Sequence, residues 1–574
     1  MRKALVAAVN SLWVLGCVWE ALAFSFLRSR VRGVQLRVLL RIVRENRDSM
    51  FGKSHRFDQI GSVADFQHEV PLTSWDDYAD SIERIARGET GVLTKEPVFL
   101  LEPTGGSTAA SKLVPYTRRL QREFSRGINA WVSHLFRWKP RLILGSAYFS
   151  ITPFGNRLMR SPSGIPVGFE EDSVYLGGVM SRLMEVVQAV PRELRLISDL
   201  DTFRYITLLF LLSRKDLSLI SVWNPTFLTL LLEPLRGWAS LLVEDIASGR
   251  IAGVTGIEPL VKSACQKRLR RSKRRSLEVF QILEDWRNRK PQERDRKGRT
   301  LYEALWPSLQ VISCWADGNA AGPAERLKSL FASTAMQPKG LIATEGFVSF
   351  PSGARDGSVL SFRSHFFEFI ETTVAGETVR LAHELERGSR YELVLTTSGG
   401  LYRYRIRDTV EVIGFWDGCP LIRFAGRQDA VSDLFGEKLA EGHLRPIVEQ
   451  ALTRNDIHAE FWVVAPERDD PDRGFYTLFL QVEPAQDLSQ ATPDTVLLQV
   501  AREIEQGLRG NSQYAYCIRL GQLLPLRVFR ISEGGTAAYL SFCARRGQRL
   551  GDIKPAALHP HSGWSQIFSG GFIA

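Results

Sequence analysis

The segment Tyr391 to Phe415, YELVLTTSGGLYRYRIRDTVEVIGF, alternates with a period of two on both sides of a glycine turn. Tyr391, Leu393 and Leu395 alternate with Glu392, Val394 and Thr396, and Ser398-Gly399-Gly400 forms the turn. On the returning arm Tyr402, Tyr404 and Ile406 share one face while Arg403, Arg405 and Arg407 share the other. This is the strongest hairpin signal in the chain. Three arginines on one strand face repel one another unless water or an anion intervenes, and Asp408 follows at once. Two readings stand side by side. One is a solvated face ending in a turn aspartate; the other is a cationic wall beside a polyphosphate, with Asp408 accepting from a ribose.

Around this hairpin the pattern changes twice. Before Leu309 helical periodicity dominates: Gly61–Arg87, with Thr73 or Ser74 as N-cap, then TRRLQREFSRGINAWVSHLF, and long apolar helices over 200–247 broken by Pro225 and Pro234. RLILGSAYFSI (141–151) has strand character. From Leu309 short strands take over, in LQVISCW, GLIATEGFVSFP and SVLSFRSHFFEFIE. After AGRQDAVSDLFGEKLAEGHL, which reads as a hinge, FWVVAP, YTLFLQVEP and LPLRVFRI read as strands and VLLQVAREIEQGLRG as a helix. At 574 residues the chain exceeds one compact core, and the α/β mixture divides near 425.

The formal charge of +11 admits nucleic acid, an anionic membrane surface or anionic substrates as partners. The basic cluster Lys267–Arg275 lacks interleaved aromatics, so we read it as one solvated helix face and expect no nucleic-acid partner. The six cysteines are scattered without a CxxC, as expected of reduced thiols in a cytoplasmic protein. The nine histidines form no HExxH, which argues against zinc. At the N-terminus, ALVAAVNSLWVLGCVWEALAF is interrupted by Asn10 and Glu20 and runs into an arginine-spaced segment. We read both as amphipathic helices packed on the first domain; a signal or anchor is the alternative, and no stable membrane insertion is expected.

The apolar run Val98–Leu101 ends in Thr104-Gly105-Gly106-Ser107-Thr108, with Lys112 four residues on. Such a loop is either a surface turn or a cradle in which glycine lets backbone N–H groups reach phosphate oxygens. Gly52-Lys53-Ser54 imitates the end of a phosphate loop, but Arg47 stands where its first glycine belongs.

Taken together and in order, the glycine loop, ATEG at 343–346, GLYRYRIRD at 400–408 and GRQDAVSDLFGEKLAE at 426–441 resemble the adenylate-forming enzymes. More closely they are similar to the auxin-responsive-promoter family of acyl acid–amido synthetases, its bacterial members included. FGKSHRFDQIGSVADFQHEVPLTSWDDYADSIERIARGETGVLT and LWPSLQVISCW extend the resemblance over most of the chain. It implies a mixed α/β fold: a large adenylation domain over 1–425 with a β-barrel-like subdomain from about 340, and a smaller mobile α/β domain over 426–574.

The resemblance also implies a reaction. ATP, with Mg²⁺, would adenylate a small carboxylic acid, and an amino acid would then take the acyl group as an amide; a monomer is expected. Thr104, Ser107 and Thr108 would donate to phosphates, and Gly106 would permit their approach. Thr344 and Glu345 match the second motif, whose carboxylate holds the metal, and Asp408 matches the ribose acceptor. Lys438 would contact the α-phosphate, and Lys554 would either swing into the first half-reaction or stay a tail lysine. Arg427 is a hinge residue beside the nucleotide, and Tyr402 and Phe424 are adenine neighbours or core. Three positions depart from the family: Gly105 replaces a serine, Arg407 a glycine and Glu437 an aspartate. Transfer to coenzyme A or a carrier, or a degenerate scaffold at a membrane or nucleic acid, are the rival functions.

Overall fold

A computed structural model describes residues 2–573 except 104–111, 152–158, 169–177, 318–319, 354, 374–375, 428–430, 433, 436, 438, 471–472, 484–491, 520–521, 547 and 549–552. The chain divides into two compact units. The first comprises Met1–Asp317, Ala324–Ile406 and Val410–Phe424; the second comprises Gly318–Pro323, Arg407–Thr409 and Ala425–Ala574.

In the first unit the helix Arg2–Leu27 sets Val9, Trp13 and Cys17 against Val132, Leu135 and Phe136 of the helix Arg118–Trp138. Val31–Asn46 follows, burying Val31, Val34, Val38, Leu39, Ile42 and Val43 on one stripe. Beneath the first helix lies a parallel sheet in the order Ser146–Phe149, Leu217–Ser221, Val311–Cys314, Ala335–Pro338. These strands are short apolar runs without alternation, as a sheet covered on both faces requires.

That lack of alternation explains two differences from the sequence reading. LSLIS, expected within a helix, is the second strand; Pro225 opens the next helix at its first turn, with Asn224 capping the Thr226 amide. The strand expected over 141–151 shrinks to four residues, because Pro140 starts a 3₁₀ turn ending at Leu144.

Seven strands form the β part, in the order Ser349–Pro351, Ser358–Leu360, Cys419–Arg427, Tyr404–Trp416, Arg390–Thr396, Phe366–Thr373, Gly376–Leu381. The hairpin arms expected over 391–415 are thus neighbours, though the connection runs from Thr397 to Arg403 rather than as a tight turn. Arg403 lies before the strand with φ of 47°, so the arginines do not form one continuous row. Thr73 is no N-cap: its amide donates to Arg403 O and its carbonyl accepts from Arg405, at 3.0 and 2.9 Å.

The basic cluster also dissolves on folding. It splits at Ser272 between the helices Pro259–Arg268 and Lys273–Asp285, and buried Arg275 donates to the carbonyls of Leu212 and Leu305.

The second unit has its own core. Its sheet runs in the order Ala459–Asp470, Arg473–Val482, Leu523–Ile531, Gly570–Phe572, with the middle pair parallel. The helices Glu441–Arg454 and Asp494–Leu508 bury Leu444, Val448, Leu497, Val500, Ile504 and Leu508 in the same cluster as Val464, Leu478 and Val528.

Candidate active site

Thr344 and Glu345 are the two corner residues of a minimal hairpin, between Ile342–Ala343 and Gly346–Phe347. Both side chains are half-buried. Three contacts of the first unit hold this corner. Tyr116 Oη donates to the Thr344 carbonyl at 2.6 Å. The Phe347 amide donates to His365 Nε2 at 2.9 Å. The Phe347 ring lies over Gly127, where a Cβ would come within 2.1 Å of it.

Tyr116 couples this corner to the glycine loop. Leu100–Pro103 and Leu113–Tyr116 pair antiparallel, Leu100 opposite Tyr116 and Pro103 opposite Leu113, so residues 104–112 connect the two arms. Thr104, Gly106, Ser107 and Thr108 lie outside the described residues, but the stem that carries them is fixed. Thr117 directly follows the stem. It caps the helix Arg118–Trp138 by accepting from the Leu120 amide and donates to the Ser398 carbonyl at 3.0 Å.

A buried carboxylate joins these pieces. Glu123, one turn into that helix, accepts from His365 Nδ1 at 3.1 Å, from Ser398 Oγ and N at 2.6 and 3.1 Å, and from Arg41 at 2.9 Å. Because His365 Nε2 accepts from Phe347, its proton resides on Nδ1, facing Glu123. Burial pushes the Glu123 carboxyl up, but the hydrogen bonds from His365 and the Ser398 hydroxyl and the Arg41 charge outweigh it and hold it below its ordinary value. The stem of the first motif, the corner of the second and the turn of the third are therefore tied within one unit through Tyr116, Thr117, Glu123 and His365. Sequence reasoning missed all four. The available signal was an acid, Glu123, on the apolar stripe of Leu120, Phe124 and Gly127.

The arginine strand face has a different role from a phosphate wall. Arg403 is buried on Glu368 at 3.1 Å and donates to the carbonyls of Gln67 and Val70. Arg405 pairs with Glu392 at 2.6 Å and Glu377 at 2.9 Å. Carboxylates of the same sheet, Glu392 on the adjacent strand and Glu368 and Glu377 on the strands beyond it, supply the counter-charge that the sequence left open.

Tyr402 is core and not an adenine neighbour. Its ring stacks on Phe51 at 4.6 Å and meets Phe57 edge-on, and its hydroxyl donates to Leu93 O at 2.7 Å. Burial pushes its phenol well above the ordinary value. Phe424 meets Trp315 edge-on at 5.4 Å.

Asp408 lies half-buried in the strand Tyr404–Trp416 and groups with the second unit. Before it, Arg407 has φ of 65°, the left-handed region that glycine adopts at no cost. The backbone here thus has a conformation that favours the glycine which the resemblance puts at this position. Arg427 ends the strand Cys419–Arg427.

In the second unit Lys438 lies outside the described residues, but its neighbour Glu437 is buried, accepting from the Leu434 and Phe435 amides and the Tyr476 hydroxyl. Lys554 is exposed on a tail that laces onto the strand Ala459–Asp470: Val464 donates to Ala557 O and accepts from His559 N, each at 2.8 Å. Burial, aided by His561 and Arg546, pushes His559 down to about 3. Among the described residues no three acids, histidines or cysteines converge as a metal cage.

The fold is that of the acyl acid amido synthetases: the structure of AtGH3.15 acyl acid amido synthetase in complex with 2,4-DB superposes with a TM-score of 0.79 at 20% identity, covering 97% of each chain. The sequence matches the model of the GH3 family N-terminal domain over residues 23–336 and of the GH3 family central domain over 358–427, and the chain belongs to the GH3 family. Indole-3-acetic acid-amido synthetase GH3.3 of Arabidopsis thaliana is 23% identical over 558 residues, 93% of this chain and 90% of that one. Jasmonoyl–L-amino acid synthetase JAR4 of Nicotiana attenuata is 22% identical, covering 75% of this chain and 74% of the relative.

Proposed function

We propose that this protein is an ATP-dependent acyl acid–amido synthetase acting on a small carboxylic acid and an amino acid. A carboxylate oxygen attacks the α-phosphorus of ATP, and the bond to the bridging oxygen breaks to release pyrophosphate. The amino nitrogen of the acceptor then attacks the acyl carbon, the carbon–oxygen bond to AMP breaks, and the nitrogen sheds a proton to give the amide. Charge develops at phosphate in both steps, so the protein acts chiefly by positioning and by prearranged donors. The match to both family models supports this reading most directly.

In this reading the 104–108 loop offers backbone N–H groups and hydroxyls to the phosphates, and the Tyr116 and Thr117 contacts set where its stem points. Asp408 accepts from the ribose hydroxyls. Lys438 meets the α-phosphate and Lys554 serves the first half-reaction. Glu345, a single carboxylate at a braced corner, suits Mg²⁺, which keeps several waters and binds through one or two carboxylates and substrate phosphates. When bound, Mg²⁺ would neutralise phosphate charge. The six cysteines are all free, in keeping with a cytoplasmic setting.

The test is carboxylate-dependent exchange of labelled pyrophosphate into ATP across a panel of acids, followed by product analysis with amino acids and with coenzyme A. Exchange followed by an amide is expected. Absence of exchange with every acid, or thioester as the sole product, would remove the proposal.

A further inference from the structure

We propose that the outward face of the helix Arg2–Leu27 is a docking surface for an anionic lipid bilayer, on which the helix lies flat at headgroup depth. The inference stands apart from the catalytic reading and draws on residues that reading does not use.

The helix has two apolar faces. The inner one is part of the fold: Val9, Trp13 and Cys17 belong to a core cluster, and the Asn10 amide donates to the carbonyls of Ile143 and Gly145 at 3.0 Å. Glu20 pairs with Arg363 at 2.5 Å. The outer face carries Leu5, Leu12, Leu15, Trp19, Leu22 and Phe26, all exposed; Leu15 is 68%, Trp19 79% and Phe26 77% accessible. After Leu5 these recur at steps of seven, three, four, three and four, a straight stripe on a helix. At 1.5 Å per residue the stripe is about 32 Å long. The helices were expected to turn a polar face outward; the first turns out a second apolar one. Monomeric proteins rarely leave so large a patch uncovered.

Charge selects the occupant. Between Arg2 and Asn46 the acids are Glu20 and Glu45, and both are ion-paired, with Arg363 and Arg119. Lys3 is exposed at one end of the stripe, and Arg30, Arg32 and Arg37 beyond the other. The adjoining 3₁₀ turn Pro140–Leu144 adds exposed Arg141 and Leu144. An apolar band rimmed by cations, with aromatic side chains within it, complements an anionic interface. A second copy would bring cationic rims against each other. The residues flanking the stripe, Ser11, Gly16, Val18, Ala23 and Ser25, also offer no charges to pair across a coiled coil. By length and composition the segment Lys3–Asn46 could cross a bilayer. However, spanning would tear the inner face from its core partners, whereas lying flat leaves them in place.

The experiment uses the purified full chain, sedimented with vesicles of phosphatidylcholine plus phosphatidylglycerol and with vesicles of phosphatidylcholine alone. The protein should partition onto the anionic vesicles, less onto the neutral ones, and release as salt is raised. The double variant Trp19→Glu/Phe26→Glu should lose at least about tenfold in partitioning, since two large apolar contacts are replaced by like-charged repulsion. Its thermal melting and pyrophosphate exchange should match the wild type. Quenching of wild-type tryptophan fluorescence by brominated phosphatidylglycerol reads the same insertion without any substitution. No partitioning, partitioning that ignores the variant, or no quenching would overturn the proposal. So would a dimer in light scattering that the variant converts to monomer, which would assign the face to a second copy.

Discussion

Alanine at Gly127 would test whether packing behind the Thr344–Glu345 corner sets its position. Within the helix Arg118–Trp138 the change has two opposed effects. Relief of glycine's excess backbone entropy favours alanine by roughly 0.5–1 kcal/mol. Against this, the new Cβ would stand 2.1 Å from Phe347 Cδ1 and 2.3 Å from Cε1. It is therefore about 1.3 Å inside the 3.4 Å at which ordinary contact begins. Phe347 cannot yield freely, because its side chain is buried, it meets Phe124 edge-on at 6.3 Å, and its amide is held by His365. Overpacking of this kind costs about 1–3 kcal/mol, so the first unit should lose on the order of 1 kcal/mol net. Any relief that Phe347 finds shifts the strand Gly346–Phe347 and with it Glu345. A misplacement near 1 Å can cost on the order of a hundredfold in rate. The assay is acid-dependent pyrophosphate exchange, with amide hydrogen exchange locating the loosened segment. We expect a ten- to hundredfold loss, loosening at residues 342–347, and partial recovery in Gly127→Ala/Phe347→Leu, where the smaller side chain restores room. Wild-type exchange in Gly127→Ala, with unchanged or higher stability, would refute the reasoning.

Glu345→Gln should abolish pyrophosphate exchange, whereas Lys112→Ala should only weaken it; wild-type exchange in Glu345→Gln would end the metal role assigned to that carboxylate. Glu123→Gln should destabilise the first unit in urea unfolding at pH 7, because an amide cannot match four acceptor contacts made by a buried carboxylate. Since the folded carboxyl is held below its ordinary value, its contribution is full above the unfolded value of about 4.5 and vanishes as pH falls through the lower folded one. The gap between wild type and variant should accordingly narrow below about pH 4.5, and a constant gap would contradict the assignment. Arg407→Gly should leave exchange activity intact and remove up to about 1 kcal/mol of left-handed strain, while Asp408→Ala raises the KM for ATP; loss of activity in Arg407→Gly would show that the side chain, not the backbone shape, matters there.

Local signals and long-range ones fared differently. The second unit's strands Ala459–Asp470, Arg473–Val482 and Leu523–Ile531 were legible because each is a long run rich in aromatic and β-branched residues set apart from helical segments, and its helix Asp494–Leu508 because it keeps the helical period. Leu217–Ser221 was not, since five consecutive buried positions carry no period and sit among helices of the same composition. The alternation of the arginines with Tyr404 and Ile406 was visible, but not their purpose: Arg403 finds Glu368 thirty-five positions away and Arg405 finds Glu377 twenty-eight away, and no local pattern names such partners.

The same distinction runs through the candidate site. ATEG could be picked out as a motif, and its Gly346 packs where a Cβ would crowd His365 and Leu395 at 3.1 Å. What holds the corner is remote: His365 meets Glu123 across 242 positions, and Ser398 meets it across 275. A buried carboxylate is costly unless its partners are all present, so each of these residues constrains the others. The residues proposed to touch substrate lie in short segments that a reader of the sequence can find. The residues that aim them are conspicuous in the sequence only as a charge where the helix pattern asks for an apolar side chain, as Glu123 is between Leu120 and Gly127.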